Sequence, residues 1–207
     1  MKSAVLVSVI LLTFAMLGNS QEPTVKYSDI KAQAVKVDKP ILIEFSAVWA
    51  PTCRDFEAAV QSDSSIGKAL EPVVLYQADV EKGDGISLAK EFKVKAYPSF
   101  IIVNAKGEPL DRWLGYDKDN FVSILDSALK DKSTISQMEE RLEKSPSVDD
   151  AAALGRWYLA YGNCKKATKY YQKAQELNSD PEDDYSYEIF LSIACGSLRG
   201  EYTFEEV

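Results

Sequence analysis

The chain has 207 residues, of which 46% are hydrophobic and 27% charged; this is close to an average globular protein and excludes a wholly disordered chain, a collagen-like repeat and a multi-span membrane protein. Acidic residues outnumber basic ones by 32 to 24, and the formal charge of -8 argues against nucleic acid as a partner, because phosphate contacts need a cationic surface. Histidine is absent, which excludes Ser-His-Asp and Cys-His catalysis and most catalytic zinc sites.

The first twenty residues have the pattern of a secretory signal peptide. Lys2 provides a short positive region, residues 4–17 form an almost wholly apolar run, and small residues at 18–20 precede Gln21. We therefore expect cleavage before Gln21 and an exported mature chain, periplasmic or secreted, that keeps no stable membrane span. The alternative is an uncleaved membrane anchor, although the apolar run is shorter than the roughly 20 residues that span a bilayer.

Between residues 39 and 130, short apolar runs alternate with helical patterns. The runs predict strands and the patterns predict helices, in this order: strand 41–45, helix 55–69, strand 73–80, helix 86–92, strand 99–103, strand 110–114 and helix 119–129. The turn at 104–107 is expected to join the last two strands as an antiparallel hairpin. The sequence therefore predicts an α/β layer structure with a mixed central sheet.

After residue 130 the strand signals largely stop. Helical patterns remain, and they predict helices over 135–142, 149–161, 164–177 and 185–198. We place the domain boundary at this change of pattern. The predicted organisation is a signal peptide over 1–20, an α/β domain over 21–131 and an all-α tail over 132–207.

Four marks in the α/β segment agree in order and spacing with one known family. The strand at 41–45 leads into the motif at 49–53, Tyr97-Pro98 begins a later strand, Gly107 lies in the hairpin turn, and Gly115 follows the last strand. With these marks, residues 39–130 resemble a thioredoxin domain. The resemblance implies the thioredoxin fold, in which helices flank a mixed sheet, and a cis peptide bond before the proline.

The active-site motif departs from this family. Thioredoxins carry Trp-Cys-x-x-Cys, whereas here Trp49 is followed by Ala50, Pro51, Thr52 and Cys53, so alanine replaces the attacking cysteine. A dithiol enzyme needs one thiolate to attack a substrate disulfide and a second thiol to release the mixed disulfide. A complete dithiol cycle within this motif is therefore impossible.

The resemblance implies two candidate catalytic residues in this degenerate site. Glu44 matches the buried acid that exchanges a proton with the resolving cysteine, which is Cys53 here. Cys53 has two interpretations: a small buried hydrophobe, or a monothiol that slowly forms mixed disulfides with small thiols or partners. The alternative for Glu44 is an acid at the edge of its strand, although its place inside an apolar run favours burial.

A peptide-binding groove is a further property that the resemblance implies. In relatives, the backbone beside the cis-proline pairs with an extended peptide, and the motif tryptophan lies alongside. The candidate substrate-binding residues are Trp49, Pro51, Thr52, Tyr97 and Pro98. Tyr97 is bulky at a position where relatives often carry a β-branched or small residue. We therefore expect a protein or peptide partner at this groove, without any redox step.

The helical tail resembles a tetratricopeptide repeat. Its small and aromatic residues fall at the spacing of the thirty-four-residue pattern: Leu154, Gly155, Tyr158, Ala167, Tyr171 and Ala174. Repeats of this kind usually bind peptides or partner helices, so the tail is a second expected contact for a protein partner. Cys164 and Cys195 lie near one repeat length apart. They form a disulfide across stacked helices, remain two separate thiols, or one of them serves Cys53 as a distant partner.

Cofactor motifs are absent from the sequence. There is no Gly-x-x-x-x-Gly-Lys-Ser/Thr loop and no Gly-x-Gly-x-x-Gly fingerprint, and the acidic stretch at 79–84 lacks EF-hand spacing, so we expect neither a cofactor nor a metal. Three functions stay open. One is a redox-degenerate, thioredoxin-like protein that binds partners. The second is a thiol-disulfide oxidoreductase that acts through Cys53 alone or has a parent form with cysteine at position 50. The third is a structural subunit of an envelope complex.

Overall fold

A computed structural model describes residues 25–180 and 184–203 of the chain. The predicted signal peptide at 1–20 lies outside these described residues. Within the described ranges, none of the helices is long and apolar enough to cross a membrane.

Four strands and nine helices make up the described part of the chain. The strands are β1 (Ile41–Ser46), β2 (Val74–Asp79), β3 (Ser99–Val103) and β4 (Pro109–Leu114). The helices are α1 (Tyr27–Val37), α2 (Pro51–Ser62), α3 (Ser64–Leu70), α4 (Gly83–Glu91), α5 (Lys118–Lys130), α6 (Ile135–Lys144), α7 (Val148–Tyr161), α8 (Cys164–Leu177) and α9 (Ser186–Leu198).

The four strands form one mixed sheet in the order β2-β1-β3-β4. β1 pairs with β2 in parallel, whereas the β1–β3 and β3–β4 pairs are antiparallel. The β3–β4 hairpin closes as expected: Gly107, at φ +89°, donates its backbone N–H to the carbonyl oxygen of Asn104 at 2.9 Å. Glycine suits this left-handed conformation because it lacks a Cβ. The predicted mixed α/β sheet is confirmed.

Each face of the sheet has its own hydrophobic core. On one face, four rings lie with neighbouring centroids 4.8–5.9 Å apart: Phe56, Phe100, Trp113 and Phe121. The opposite face buries Ile43 and Ile101 against helices that include α1 and α4. Burial on both faces explains why β1 and β3 read as continuous apolar runs instead of alternating patterns.

Two differences from the predicted helices have local causes. The predicted helix over 55–69 is two helices, because Asp63 adopts an extended backbone and its side chain caps α3 by accepting the N–H of Ser65 at 2.8 Å. The sequence pattern does not predict α1. That helix buries only Ile30 and Ala34, so its apolar stripe is too narrow to show as a periodicity.

The helical tail packs directly on the sheet. α7 lies on β4, and its residues Leu154 and Trp157 belong to the same hydrophobic core as Ile43 and Ile101. The hydrophobic core is therefore continuous across the predicted boundary near residue 131. The division of the chain into two domains at that point stays a prediction.

Edge strand β4 is covered by α7 through charged side chains. Arg156 of α7 donates two hydrogen bonds to the buried carboxylate of Asp111, which also accepts the backbone N–H of Arg112. The Arg112 guanidinium is buried over the rings of Trp157 and Tyr161, 5.8 and 5.7 Å from their centroids. This burial lowers the pKa of Arg112 to about 10. Covering protects a strand edge that would otherwise invite pairing with another chain.

Inside the tail, successive helices pack closely. A Cβ on Gly155 of α7 would lie 2.8 Å from the ring of Tyr171 on α8, so only glycine allows this approach. α9 is held on α8 by a disulfide between Cys164 and Cys195 and by a buried hydrogen bond from the Thr168 hydroxyl to that of Ser192. The all-α character of the tail is confirmed, whereas its tetratricopeptide character stays a prediction.

Candidate functional site: the N-terminus of helix α2 and the cis-proline loop

The motif lies where β1 gives way to α2. Ala50 donates its backbone N–H to the carbonyl oxygen of Ala47 at 2.9 Å, which closes a turn after the strand. Ala50 is the N-cap residue of α2, with φ -81° and ψ 120°, and Pro51 occupies the first helical turn. Proline fits there because the first N–H groups of a helix have no intrahelical partner. The methyl group of Ala50 thus stands at the positive end of the helix dipole.

The alanine at this position is packed rather than open. Ala50 is only 4% exposed and forms a small apolar cluster with Ala47 and Cys53, against which Val80 and Tyr97 pack. A helix N-terminus lowers the pKa of a cysteine thiol and thereby activates it. Here the same electrostatic environment acts on a methyl group, which has no proton to lose and no nucleophile to offer.

Cys53 is a buried thiol one turn into α2, with 1% of its surface exposed. Burial is the main cause that raises the pKa of Cys53 above its usual value, and the carboxylates of Glu44 and Glu57 add to the shift. A backbone hydrogen bond to Ala47 and the charge of Arg54 oppose it. The cysteine is therefore a neutral thiol at pH 7, shielded from solvent and from large substrates.

Glu44 is fully buried in β1, which is an interior strand of the sheet. The alternative of a strand-edge acid is therefore wrong. One carboxyl oxygen accepts a hydrogen bond from the Gln77 amide at 2.8 Å, and the other has no hydrogen-bond partner within the described residues. Burial is the largest cause that raises the pKa of Glu44 to about 7, and the Glu57 charge raises it further while the Gln77 hydrogen bond opposes the shift. This carboxyl group can hold or release a proton near neutral pH.

Beside the motif, the peptide bond between Tyr97 and Pro98 is cis, as the resemblance implies. The Trp49 ring meets the Tyr97 ring edge-on, with centroids 5.8 Å apart, and 63% of Trp49 is exposed. Pro98 itself is buried, and its carbonyl oxygen accepts the N–H of Gly115 at 2.9 Å. In the part of the chain that the structure describes, the backbone N–H and C=O of Tyr97 make no hydrogen bond.

The predicted site residues thus fall into two groups. Trp49 and Tyr97 line one surface with the buried Pro98 next to Tyr97 in the chain, and Pro51 and Thr52 are exposed at the start of α2. Behind that surface lie the buried Cys53 and Glu44. Cys164 and Cys195 lie elsewhere, in the disulfide between α8 and α9. Among the described residues, no cluster of His, Cys, Asp and Glu side chains could hold a metal ion.

Gln77 is a site residue that the sequence analysis missed. It lies on β2 directly opposite Glu44 in the parallel register and supplies the hydrogen bond to its carboxylate. Its signal was present as a polar residue inside the apolar run 73–80. The contact between Glu44 and Gln77 depends on the register of β1 against β2, which the sequence alone does not give.

The strand order, the cis-proline and the helix that begins at the motif define a thioredoxin-like domain. The sequence profile described as Thioredoxin-like matches residues 22–105. Thioredoxin H4 of Arabidopsis thaliana is 34% identical over 88 residues, which cover 42% of this chain and 70% of that protein. The chain belongs to the thioredoxin-like family.

Three further matches each cover only part of this chain. The thiol:disulfide interchange protein DsbD of Ralstonia nicotianae is 31% identical over 100 residues, which are 46% of this chain but only 16% of that protein. A solved DsbH oxidoreductase aligns with 62% of this chain and 95% of its own, at 20% identity and a TM-score of 0.45. A thioredoxin from Thermus thermophilus aligns with 50% of this chain and 84% of its own, at 22% identity and a TM-score of 0.46.

Proposed function

We propose that this protein is an exported, thioredoxin-like binding protein that holds extended segments of partner proteins without completing a dithiol cycle. The observation that carries this proposal is that the motif tryptophan is exposed while the motif cysteine is buried. The recognition residue Trp49 is 63% exposed, whereas the remaining cysteine, Cys53, is 1% exposed and the nucleophile position is Ala50. The aromatic side chain that can contact a peptide is therefore at the surface, whereas the cysteine that remains in the motif is buried.

The absence of a dithiol cycle follows from the balance of sulfur. In a dithiol cycle, two thiols of the enzyme reduce one substrate disulfide. The substrate gains two electrons and two protons, and the two enzyme thiols become one disulfide. Position 50 supplies no sulfur, and the other two cysteines are joined to each other in the tail. Cys53 has no second sulfur to close the cycle.

Peptide binding is supported by the geometry of the cis-proline loop. An extended peptide that pairs with a backbone needs an N–H and a C=O that are not already bonded, and Tyr97 has both within the described residues. Trp49 and Tyr97 form an aromatic wall beside this backbone. Aromatic groups at an exposed surface supply most of the binding free energy in many interfaces.

Export is supported by two independent features. Residues 1–20 carry the signal pattern, and the tail contains a disulfide between Cys164 and Cys195. Structural disulfides persist in oxidising compartments such as the periplasm or the extracellular space. In this proposal the helical tail provides a second surface for the same protein partner.

The retained proton site favours a second candidate function, thiol-disulfide exchange. Glu44 keeps a buried carboxyl group with a pKa of about 7 behind Cys53, which a pure binding protein does not need. On this alternative, Cys53 acts as a monothiol, or a parent form carries cysteine at position 50. The relatives named thiol:disulfide interchange protein are consistent with such a parent.

Alkylation and peptide binding together test the proposal. We expect iodoacetamide to label Cys53 of the native mature protein only after unfolding, whereas fast labelling near pH 7 would favour the monothiol alternative.

The peptide-binding test uses fluorescein-labelled decapeptides of alternating threonine and valine, which contain no cysteine. They should bind the wild type, and Trp49→Ala should weaken binding at least about tenfold, as loss of a central aromatic does. Val35→Ala is the matched control, because Val35 is 64% exposed on α1, away from the loop. Equal loss in both variants would contradict the proposal.

A further inference from the structure

A cleft of about 420 Å³ lies between the end of the sheet with α5 on one side and the tail helices on the other. One wall is the segment that follows β4, including Gly115, Tyr116 and Asp117, and the other wall comes from α7, α8 and the start of α9, including Arg156, Tyr185 and Glu188. The tail thus builds half of this cleft.

One wall of the cleft adjoins the cis-proline loop. Gly115, which lines it, donates its backbone N–H to the carbonyl oxygen of Pro98 at 2.9 Å. This bond places the Gly115 wall of the cleft next to the loop at which we propose that a peptide pairs. The residues on the tail side give the cleft a chemistry that the motif surface lacks.

The charges in the cleft favour a cation. Its one arginine among the described lining residues, Arg156, is already neutralised by two hydrogen bonds to Asp111. Glu188 makes no hydrogen bond or ion pair with another described residue, and Asp117 uses one oxygen to cap α5 by accepting the N–H of Asn120. Two carboxylates therefore face the cleft with acceptor capacity left over, on a chain whose formal charge is -8.

The aromatic lining favours the same occupant. Tyr116 and Tyr185 lie half-buried on opposite walls, and the buried Tyr171 stacks against Tyr185 with centroids 6.4 Å apart. A Lys or Arg side chain gains from lying over tyrosine faces while its charged head meets carboxylates. Its aliphatic stem would also cover the apolar part of the lining.

From this arrangement we infer that the cleft is a specificity subsite for a Lys or Arg side chain of the extended peptide bound at the cis-proline loop. The inference rests on the proposed peptide-binding function and names its substrate class: extended segments with a basic residue at a fixed distance from the part paired with Tyr97. The probes are the same decapeptides of alternating threonine and valine. At each position in turn, one residue is replaced by lysine, by its neutral analogue norleucine or by glutamate.

Fluorescence anisotropy at low salt measures the preference. We expect lysine to bind about fivefold to tenfold more tightly than norleucine at one or two adjacent positions, as a cation–π contact and a partly exposed ion pair together provide. Glutamate at those positions should bind more weakly than norleucine. The lysine preference should shrink to less than about twofold in the double variant Asp117→Asn/Glu188→Gln, since it removes both free carboxylates.

The control removes a carboxylate charge at a different place. Glu176→Gln removes one carboxylate from an exposed position on α8 outside the cleft, where it pairs with Lys173, and should leave the lysine preference intact. Circular dichroism and the unfolding midpoint confirm that both variants fold. A preference that disappears equally with Glu176→Gln reports only the overall charge and overturns the inference.

The remaining outcomes separate the two proposals. If the peptides bind in a way that depends on Trp49 but lysine, norleucine and glutamate are equal at every position, the subsite is wrong and the proposed function stands. Preference for glutamate would assign the cleft to an acidic side chain held by Arg156 and overturns the inference. If no peptide in the panel binds, both proposals fall together.

Discussion

The N-terminus of α2 and the α8–α9 pair hold the three cysteines of this chain in opposite chemical situations. At α2 the helix terminus, the cis-proline and the buried acid remain, but Ala50 replaces one sulfur and Cys53 is buried. In the tail both sulfurs are present and bonded, but Cys164 is fully buried between packed helices. Thiol exchange needs a thiol at an exposed, electropositive position; a count of cysteines says nothing about it.

The largest expected effect comes from restoring sulfur at the first of these places. Ala50→Cys puts a thiol at the positive end of α2, within reach of Cys53, which lies in the same small cluster. We expect insulin reduction with dithiothreitol to rise at least about 100-fold over the wild type, a small part of what removal of a nucleophile costs other enzymes. Ala50→Ser adds an atom without a thiol and should stay at background. Activity of the wild type equal to that of the variant would show that Ala50 does not limit the chemistry.

A second test asks whether the tail is part of the same core as the sheet. Arg156→Met leaves the buried carboxylate of Asp111 without its guanidinium partner. We expect the free energy of unfolding in urea to fall by about 3–5 kcal/mol, because a buried charge loses its compensation. The double variant Asp111→Asn/Arg156→Met removes both charges and should recover most of that loss. A fall confined to a separate, tail-only transition would contradict a shared core.

A third test concerns the tail disulfide, where sulfur has a structural role. Cys164→Ser opens a loop that spans 31 residues and should lower the free energy of unfolding by about 3–4 kcal/mol in the chain-entropy treatment. Dithiothreitol should destabilise the wild type to a similar extent and leave the variant unchanged. Cys53→Ala is the matched control, because it removes a cysteine without breaking a bond between sulfurs. Equal midpoints for the wild type with and without reductant would show that the bridge contributes nothing.

The contrast between these regions also shows what the sequence could predict. Strand 99–103 and helix 164–177 were predicted with the bounds that the structure gives, because apolar runs and periodic patterns are local. The cis bond before Pro98 was implied by the resemblance to thioredoxin. The pairing of Asp111 with Arg156, 45 residues away, was not predicted, because it depends on how α7 lies across β4. The cleft at Glu188 depends on the same packing.

The smallest of the four effects concerns the acid that the motif surface retains. The pKa of Glu44 is raised from 4.5 to about 7 in the folded protein, so the folded state binds more protons than the unfolded state between these values. The stability of the wild type should therefore fall as pH rises from about 4.5 to 7, by up to about 3 kcal/mol, and then level off.

Glu44→Gln isolates that contribution, since a neutral amide replaces the carboxyl beside Gln77. Urea unfolding of both proteins from pH 5 to pH 8 should give nearly equal stabilities at the acid end and a more stable variant at the alkaline end. Glu143→Gln is the matched control: Glu143 is an exposed acid on α6, and its replacement should give a difference from the wild type that does not change with pH. A Glu44→Gln difference that stays constant with pH would mean that the carboxyl titrates at its ordinary value. The site would then lack a carboxyl group that takes up and releases a proton near pH 7, which thiol exchange uses. Partner binding would be better supported than thiol-disulfide exchange.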